Sequence, residues 1–386
     1  ETVASGLPFW GNDERKKSAR AGNLLLQYTR TLSPSRTNQL RFGWNRLSDQ
    51  ERFGTTGRPD FDVAGLMGIP RVSRRTTDYG PPSITLYGPD GTTDVFHLQR
   101  PSGPRDRVSN ALQLSNVYSW KRGAHMLRFG GDWIRKYHGL WQAQNPRGTF
   151  TFDGSYTGSA LADFLLGYVR SASIAPSPTA ANLRSTWQSY YAQDDWRVSH
   201  TLTLNLGLRW DFVPHFYERN SRMVNIEQDG FRLTSLVRAS ESRFGRRMVE
   251  SNPTTFGPRF GLSWAPAFLP GWIVRTGYGM YFAPNHPNAA FRMAEAAQEP
   301  AGATVLGALG GIPDILLSNP FGGAPQDPFS LAVSVDQHLR DAYVQQWNLT
   351  VQKKIRLGVL LDAAYVGSKG TRLPVTIDDV NRPVEL

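Results

Sequence analysis

The chain has 386 residues, a formal net charge of +11 and no cysteine, so it has neither a disulfide framework nor a thiolate metal site. Charged residues make up 19% of the sequence and aromatic residues 12%, with 11 tryptophans, which is poor in charge and rich in tryptophan for a soluble protein. No apolar run approaches the ~18 residues of a transmembrane helix, so only a closed β-barrel could span a membrane.

Five hairpins are predicted along the chain, each with two strands of about ten residues joined by a short turn. In chain order they lie at Asn23 to Leu32 with Thr37 to Arg46, Ser109 to Trp120 with His125 to Tyr137, within Ser189 to Phe212, at Gly257 to Trp264 with Trp272 to Phe282, and at Tyr343 to Lys353 with Val359 to Gly367. The connections between hairpins run to roughly forty to sixty residues and are rich in turn-forming residues, which predicts long loops.

Weaker signals occur inside these connections. Ser83 to Tyr87 and Asp94 to Leu98 are possible short strands within the first long loop, Leu47 to Arg107. Thr149 to Phe152 is a weak strand, and Ala160 to Leu166 has the pattern of one or two helical turns.

The hairpin within Ser189 to Phe212 shows the clearest alternation. Its second strand has an apolar residue at every even position from Leu202 to Phe212 and a polar residue or glycine between them, so one strand face is apolar and the other polar. A soluble sandwich or barrel and a membrane β-barrel both fit one such hairpin. Repetition, strand length and the alternation of short turns with long loops favour the membrane barrel.

The predicted fold class is therefore all-β, an antiparallel transmembrane up-and-down β-barrel with short periplasmic turns and long extracellular loops. This chain would supply about 10–12 strands of a larger barrel. Six aromatic residues lie at predicted strand ends on the apolar face, where an interfacial girdle would place them, although a soluble core rich in tryptophan is the alternative. They are Trp120, Trp196, Trp210, Trp264, Trp272 and Tyr365.

Several strings resemble the Oar-like TonB-dependent receptors of bacterial outer membranes, over most of residues 20–375. They are the Tyr190 to Arg197 string followed by Leu202 to Trp210, Gly257 to Gly261 with Arg275 to Gly279, Gln345 to Leu349, Ala364 to Gly370, and Gly123 to His125 with Arg128 to Asp132. The resemblance implies an outer-membrane location, a 22-stranded barrel with an N-terminal plug, and energised uptake through a TonB box.

Residues 1–386 are accordingly predicted to be part of one receptor barrel domain. We find no plug domain or TonB box in this sequence, and the C-terminal residues lack an aromatic-ended closing strand, so a segment of a longer receptor is expected. Expected partners are the lipid bilayer and lipopolysaccharide, an unidentified solute, and the TonB complex only through a plug and TonB box that this chain lacks. The net positive charge would suit lipopolysaccharide or an anionic solute, or would simply be a solvated loop surface.

No catalytic, metal or nucleic-acid motif occurs. The seven histidines are scattered, Asp194 and Asp195 are adjacent and face opposite sides of a strand, and no Lys/Arg run has interleaved aromatic residues. We therefore expect no enzyme activity, no cofactor and no nucleic-acid partner.

Binding residues are predicted on the polar strand face and in the loops. The charged residues expected to face the lumen, where they would contact a solute or a plug or form a structural ladder of Arg–Asp pairs, are Arg41, Arg128, Arg209, Asp211, Arg259, Arg275 and Asp362. The loop aromatic residues expected to be exposed for ligand capture are Trp10, Tyr79, Tyr87, Phe321 and Phe329. The predicted function is solute uptake across the outer membrane; a surface-binding or adhesive β-protein and a passive porin are the alternatives.

Overall fold

A computed structural model gives the fold of most of the chain. It describes residues 2–3, 15–72, 75–88, 94–98, 103–229, 232–283, 287–297, 303–308, 311–322, 335–355 and 358–375. No helix among these residues is both long and apolar enough to cross a membrane.

The described residues are mostly in β-strands. The strands are β1 (Thr2–Val3), β2 (Arg15–Ser33), β3 (Arg36–Phe53), β4 (Ser83–Tyr87), β5 (Asp94–Leu98), β6 (Arg105–Arg122), β7 (His125–Gln142), β8 (Asn145–Phe152), β9 (Ser171–Ala175), β10 (Thr179–Arg197), β11 (Leu202–Phe212), β12 (Tyr217–Glu218), β13 (Val224–Asp229), β14 (Arg232–Arg238), β15 (Phe256–Trp264), β16 (Trp272–Phe282), β17 (Ala303–Leu306), β18 (Tyr343–Lys354) and β19 (Leu360–Thr371). The α-helices are α1 (Val63–Leu66), α2 (Ala160–Leu166) and α3 (Asn288–Ala296).

One large antiparallel sheet, which we call the wall, contains all five predicted hairpins. Its long strands follow one another in the order β2-β3-β6-β7-β10-β11-β15-β16-β18-β19, with β1 beside β2 and the short β12 pairing with β10. Every short hairpin turn lies at one end of the wall, the turn end, and every long connection at the other, the loop end. The all-β, up-and-down topology is therefore confirmed.

Strand length was predicted correctly for only half of the wall. β11, β15, β16, β18 and β19 have 9 to 12 residues, but β2, β3, β6, β7 and β10 have 18 or 19 rather than about ten. The predicted membrane crossing requires only about 9–11 tilted residues, so these five strands are longer than that crossing needs.

The register keeps the two faces of the wall distinct across every strand pair. On one face Leu26 lies opposite Phe42, which lies opposite Leu114. This apolar face is also exposed, with 57% of Leu26 and 46% of Leu114 accessible. On the polar face, Arg41 lies opposite Ser115, which lies opposite Asp132. Because a shift of one residue would exchange the faces, this pattern specifies the register.

The wall is open within the described residues. β2 and β19 are the outermost long strands, and neither is hydrogen-bonded to the other. Lipid offers no partner for a free strand edge, so the wall has the character of a partial barrel.

The first two long connections and part of the last are not simply loops. They form a second sheet, the cap sheet, in the order β17-β9-β8-β4-β5, in which β4 runs parallel to β8. Its core contains fully buried Phe150, Phe152 and Phe321. The predicted short strands at β4, β5 and β8 are confirmed, whereas β9 and β17 were missed. Helix α2 also matches its prediction; Ser159 accepts a hydrogen bond at its N-terminus, and Gly167 ends it with φ = 74°.

A second core covers the polar face of β10 at the loop end. Leu183 on β10 packs there with Phe216, Met248 and Met293, which come from the connection after β11 and from α3. Leu183, 1% exposed, belongs to the face that carries Asp195 nearer the turn end. The polar face of β10 therefore becomes apolar where these segments cover it.

Candidate functional site

All seven charged residues predicted to line the lumen lie on the polar face of the wall. The register places Ser115 and Ser189 on either side of Asp132, and Ser189 opposite Asp211. The same alternation places the other six on this face: Arg41 on β3, Arg128 on β7, Arg209 on β11, Arg259 on β15, Arg275 on β16 and Asp362 on β19.

Two of these arginines are neutralised by carboxylates. Arg128 Nη1 lies 3.1 Å from Asp195 Oδ2 on the neighbouring β10. Arg209 Nε lies 2.8 Å from Asp211 Oδ1 two residues along its own strand, and its Nη2 is 3.7 Å from Asp132 Oδ2. These contacts form a ladder of Arg–Asp pairs of the kind that supports the wall itself.

Two other arginines have no carboxylate partner among the described residues. Arg41 Nε donates to Gln27 Oε1 at 3.0 Å. The guanidinium of Arg259 lies 4.8 Å from the ring centroid of Tyr281. Their remaining donors therefore face the space in front of the polar face.

One cavity brings four of the predicted residues together. A volume of about 570 Å³ is lined by Arg41, Arg128, Arg209 and Arg259, together with Asp132, Gln113, Gln193 and Tyr191. Asp211, Arg275 and Asp362 are not among its lining residues. Arg275 Nη1 donates to Gln352 Oε1 at 2.9 Å, and Gln352 donates in turn to Asp362. The polar face thus has a cationic part centred on β3 to β15 and a separate hydrogen-bonded chain on β16 to β19.

A second cavity of about 570 Å³ is uncharged apart from Arg259. Its wall is formed by Gly207, Gly261, Gly277 and Gly279, and its side-chain hydrogen-bonding groups include the amides of Gln193, Asn205, Gln346 and Asn348. The recurring glycines were visible in the sequence, but the amides that they bring together were not recognised. The alternation of side chains along each strand places these amides on one face, and the order in which the strands pair brings them together. These two signals could have identified the group.

Four of the six predicted girdle residues lie at the turn end on the apolar face. Trp120, Trp196, Trp264 and Trp272 are within one or two residues of their hairpin turns. Trp210 lies near the opposite end of β11 and stacks on Tyr190, with 5.8 Å between ring centroids.

Tyr365 was placed at a strand end because β19 was expected to finish at Gly367. The strand continues to Thr371, so Tyr365 is in its middle, opposite Leu349.

The prediction for loop aromatic residues was wrong at Phe321. Its side chain is fully buried and lies 6.2 Å from Phe150, centroid to centroid, in the core of the cap sheet. Tyr79 and Tyr87 are half-buried. Trp10 and Phe329 lie outside the described residues.

Asp194 and Asp195 do point to opposite faces. Asp194 Oδ2 is 2.7 Å from Nδ1 of His125 on the apolar face, and Asp195 accepts from Asn205 at 2.7 Å on the polar face. No group of three or more His, Asp or Glu side chains in the described part of the chain is arranged to hold a metal ion.

His215, in the connection after β11, is a buried histidine with a strongly shifted pKa. Burial lowers the pKa of His215 to about 4, and the nearby Arg247 guanidinium adds to the effect. Arg247 Nε also donates to the backbone carbonyl of His215 at 3.2 Å. This histidine is therefore a neutral structural residue at neutral pH.

Comparison with known families decides the identity of this two-faced wall. A family model described as an outer membrane beta barrel domain matches residues 2–385. The chain belongs to this family. The predicted membrane β-barrel is thereby confirmed, and the protein is located in the bacterial outer membrane.

Solved structures similar to this outer-membrane barrel domain include the outer membrane transporter YddB from Escherichia coli, with 13% identity, a TM-score of 0.48, and coverage of 92% of this chain and 34% of that chain. The copper transporter OprC has 12% identity and a TM-score of 0.43, with 94% and 40% covered. The ferric-catecholate import receptor Fiu from Escherichia coli K12 has 10% identity and a TM-score of 0.42, with 94% and 42% covered.

The barrel domain therefore spans between 34% and 42% of the length of these three proteins. A search of the curated proteins returned no matching sequence.

Proposed function

We propose that this chain is part of a TonB-dependent receptor that takes up a solute across the outer membrane. The observation that carries the proposal is the cationic cavity on the polar face, in which Arg41 and Arg259 have no carboxylate partner within the described residues. Because the opposite face meets lipid, this face lines the lumen of the barrel. Guanidinium donors left free there are available to a solute, or to a further segment of the protein that fills the lumen.

The seven polar-face residues have different roles in this proposal. Arg128, Arg209 and Asp211 mainly stabilise the wall, because each already has an oppositely charged neighbour. Arg41 and Arg259 contact whatever occupies the lumen. Arg275 and Asp362 hold the Gln352 chain and are secondary contacts. In this proposal, the plug and the contact with the TonB complex are properties of the whole protein and not of this barrel domain.

One observation favours a passive porin as the second candidate. Helix α3 and the connection after β11 pack against the polar face of β10 at the loop end, where Leu183 is buried. A segment folded onto the inner wall could constrict an otherwise open channel. Neither a plug nor TonB is needed for that function.

Two measurements on the whole protein separate these functions. The purified periplasmic domain of TonB is used as a probe of binding to the detergent-purified protein, and liposome swelling in glucose is used as a probe of an open channel. Binding without swelling is the result expected of a receptor. Swelling without binding would favour a porin over a receptor. The absence of both swelling and TonB binding would favour a surface-binding protein.

A further inference from the structure

The apolar face has an arginine-rich border at the turn end. Arg36 begins β3 and Arg122 ends β6, and both lie on the same face as Trp120. Their guanidinium carbons are 5.1 Å and 5.2 Å from the centroid of the Trp120 ring. Two cations from neighbouring strands therefore flank one aromatic ring at the edge of the lipid-facing surface.

These arginines have no acidic partner among the described residues. Both are exposed, as is Arg30, which lies opposite Asn38 on the same face. Asp194 provides the nearby carboxylate on this face. Its Oδ2 is hydrogen-bonded to His125, and its Oδ1 is shielded from solvent. The border therefore presents positive charge, and the nearby carboxylate of Asp194 is already paired with His125.

The position of this charge identifies its partner. Closer to the middle of β3 and β6 this face carries Leu40, Phe42 and Leu114, and its polar residues Asn38 and Asn116 hydrogen-bond to each other. The border therefore lies where the hydrocarbon ends and lipid headgroups begin. Arginine presents a planar set of donors that matches a phosphate, and tryptophan anchors at this depth. The carboxylate of Asp194, already paired with His125, offers little to an ammonium-bearing headgroup.

We propose that Arg36, Trp120 and Arg122 form a binding site for the phosphate of an anionic phospholipid, of which phosphatidylglycerol is an example, in the periplasmic leaflet. The leaflet follows from the short turns, which lie on the periplasmic side of such barrels. The two guanidinium groups share the phosphate oxygens, and the indole ring holds both guanidinium groups at the depth of the headgroup. The site does not depend on the transport function proposed above.

Native mass spectrometry of the purified protein in detergent, titrated with phosphatidylglycerol or phosphatidylethanolamine, tests the lipid specificity. Preferential retention of phosphatidylglycerol is expected, with a loss of about fivefold in Arg36→Gln and in Arg122→Gln, because each removes one positive charge near the headgroup. Arg36→Lys keeps the charge and loses the planar donors, so its retention of phosphatidylglycerol should fall between that of the unmodified protein and that of Arg36→Gln.

Arg197→Gln is the matched control. Arg197 ends β10 at the same edge, is exposed and lies on the polar face. Equal retention of the two lipids by the unmodified protein, or an equal loss in Arg197→Gln, would overturn the site. Migration of the unheated variants as folded barrels in electrophoresis shows that a loss is not due to misfolding.

The leaflet is tested separately. The chain has no cysteine, so Ala124→Cys in the exposed turn after β6 gives one label site in this chain. A polyethylene-glycol maleimide too large to cross the outer membrane should not label this cysteine in intact cells and should label it after the membrane is opened. Labelling in intact cells would place the turn end outside and refute the periplasmic assignment.

Discussion

Nδ1 of His125 on β7 lies 2.7 Å from Oδ2 of Asp194 on β10, on the otherwise apolar face of the wall. The same imidazole stacks on Trp196, with ring centroids 5.2 Å apart. Asp194 interrupts the apolar alternation of its strand, and this pair explains how a carboxylate is accommodated there. His125 bonds one carboxylate oxygen of Asp194, Oδ2, beside an aromatic anchor at the membrane border.

A double-mutant cycle should detect this pairing. Asp194→Asn and His125→Gln each weaken the contact, and we expect a coupling free energy of about 0.5–1 kcal/mol because both groups are partly exposed. Urea unfolding followed by tryptophan fluorescence in detergent measures it. Strictly additive effects of the two substitutions would show that the contact contributes nothing to stability.

Gly130→Ala should destabilise the wall. A Cβ atom at position 130 would overlap the ring of Tyr191 on β10, which lies across the glycine. Forcing the ring away should cost about 1–3 kcal/mol in the free energy of unfolding. Gly207→Ala is the matched control on the same face, since its Cβ would meet Arg259 Cβ at an ordinary 3.6 Å. Equal unfolding midpoints for the two variants would contradict this packing.

Arg209→Gln and Arg259→Gln should have different effects on stability. Loss of Arg209 leaves Asp132 and Asp211 without their shared cation, and we expect about 1–3 kcal/mol of destabilisation. The guanidinium of Arg259 lies over the Tyr281 ring and has no carboxylate partner among the described residues, so its loss should cost about 0.5 kcal/mol or less. The comparison uses urea midpoints in detergent. A larger effect at Arg259 would mean that its role is structural.

The segment containing His215 should become less stable in acid. The folded pKa of about 4 lies below the ordinary value of 6.5, so the unfolded segment binds a proton that the folded one excludes. The stabilisation is present above pH 6.5 and is lost as the pH falls towards 4, by up to about 3 kcal/mol. Hydrogen exchange of residues 213–250 between pH 7 and pH 4.5 measures this loss.

His215→Gln should flatten that pH dependence, because the group that gains a proton on unfolding is removed. His200→Gln is the control, since His200 is exposed in the turn after β10. If both variants keep the slope of the unmodified protein, another group is responsible.

Phe321→Ala should open the cap sheet without unfolding the wall. Phe321 is fully buried beside Phe150, and removal of such a side chain costs about 3–5 kcal/mol. Limited proteolysis should cut the connections faster, while the folded electrophoretic mobility of the barrel stays unchanged. Ile312→Ala, at a position that is 90% exposed, should change neither the rate of proteolysis nor the electrophoretic mobility. Equal protease resistance of the two variants would argue against this core.

The sequence predicts the hairpins well because lipid and water impose opposite demands on alternate residues. The outer halves of the long strands lack this signal. In β2 and β3 the residues from Lys16 to Arg20 and from Asp49 to Arg52 are almost all polar, so neither face carries an apolar alternation there. Hydrogen bonds to neighbouring strands and ion pairs hold this part, such as Arg52 to Asp106 at 2.7 Å. The alternation of apolar and polar residues predicts neither these hydrogen bonds nor these ion pairs.

The candidate site was predictable by face but not by partner. Alternation was sufficient to place Arg41, Arg209 and Arg259 on one side of the wall. Whether each arginine is neutralised depends on strand order and register, since Asp132 reaches Arg209 from two strands away. Phe321 shows a related limit, because an aromatic residue within a proline- and glycine-rich segment gave no sign of the core that it completes.

The change in strand length between β10, with 19 residues, and β11, with 11, has a consequence for the connection that follows β11. At about 3.3 Å per residue, the missing eight residues correspond to roughly 25 Å of height along the strand. The edge of the wall at the loop end is therefore stepped, high along β2 to β10 and low along β11 to β19. The connection after β11 starts at this lower edge and packs against the taller β10, which therefore serves as its support.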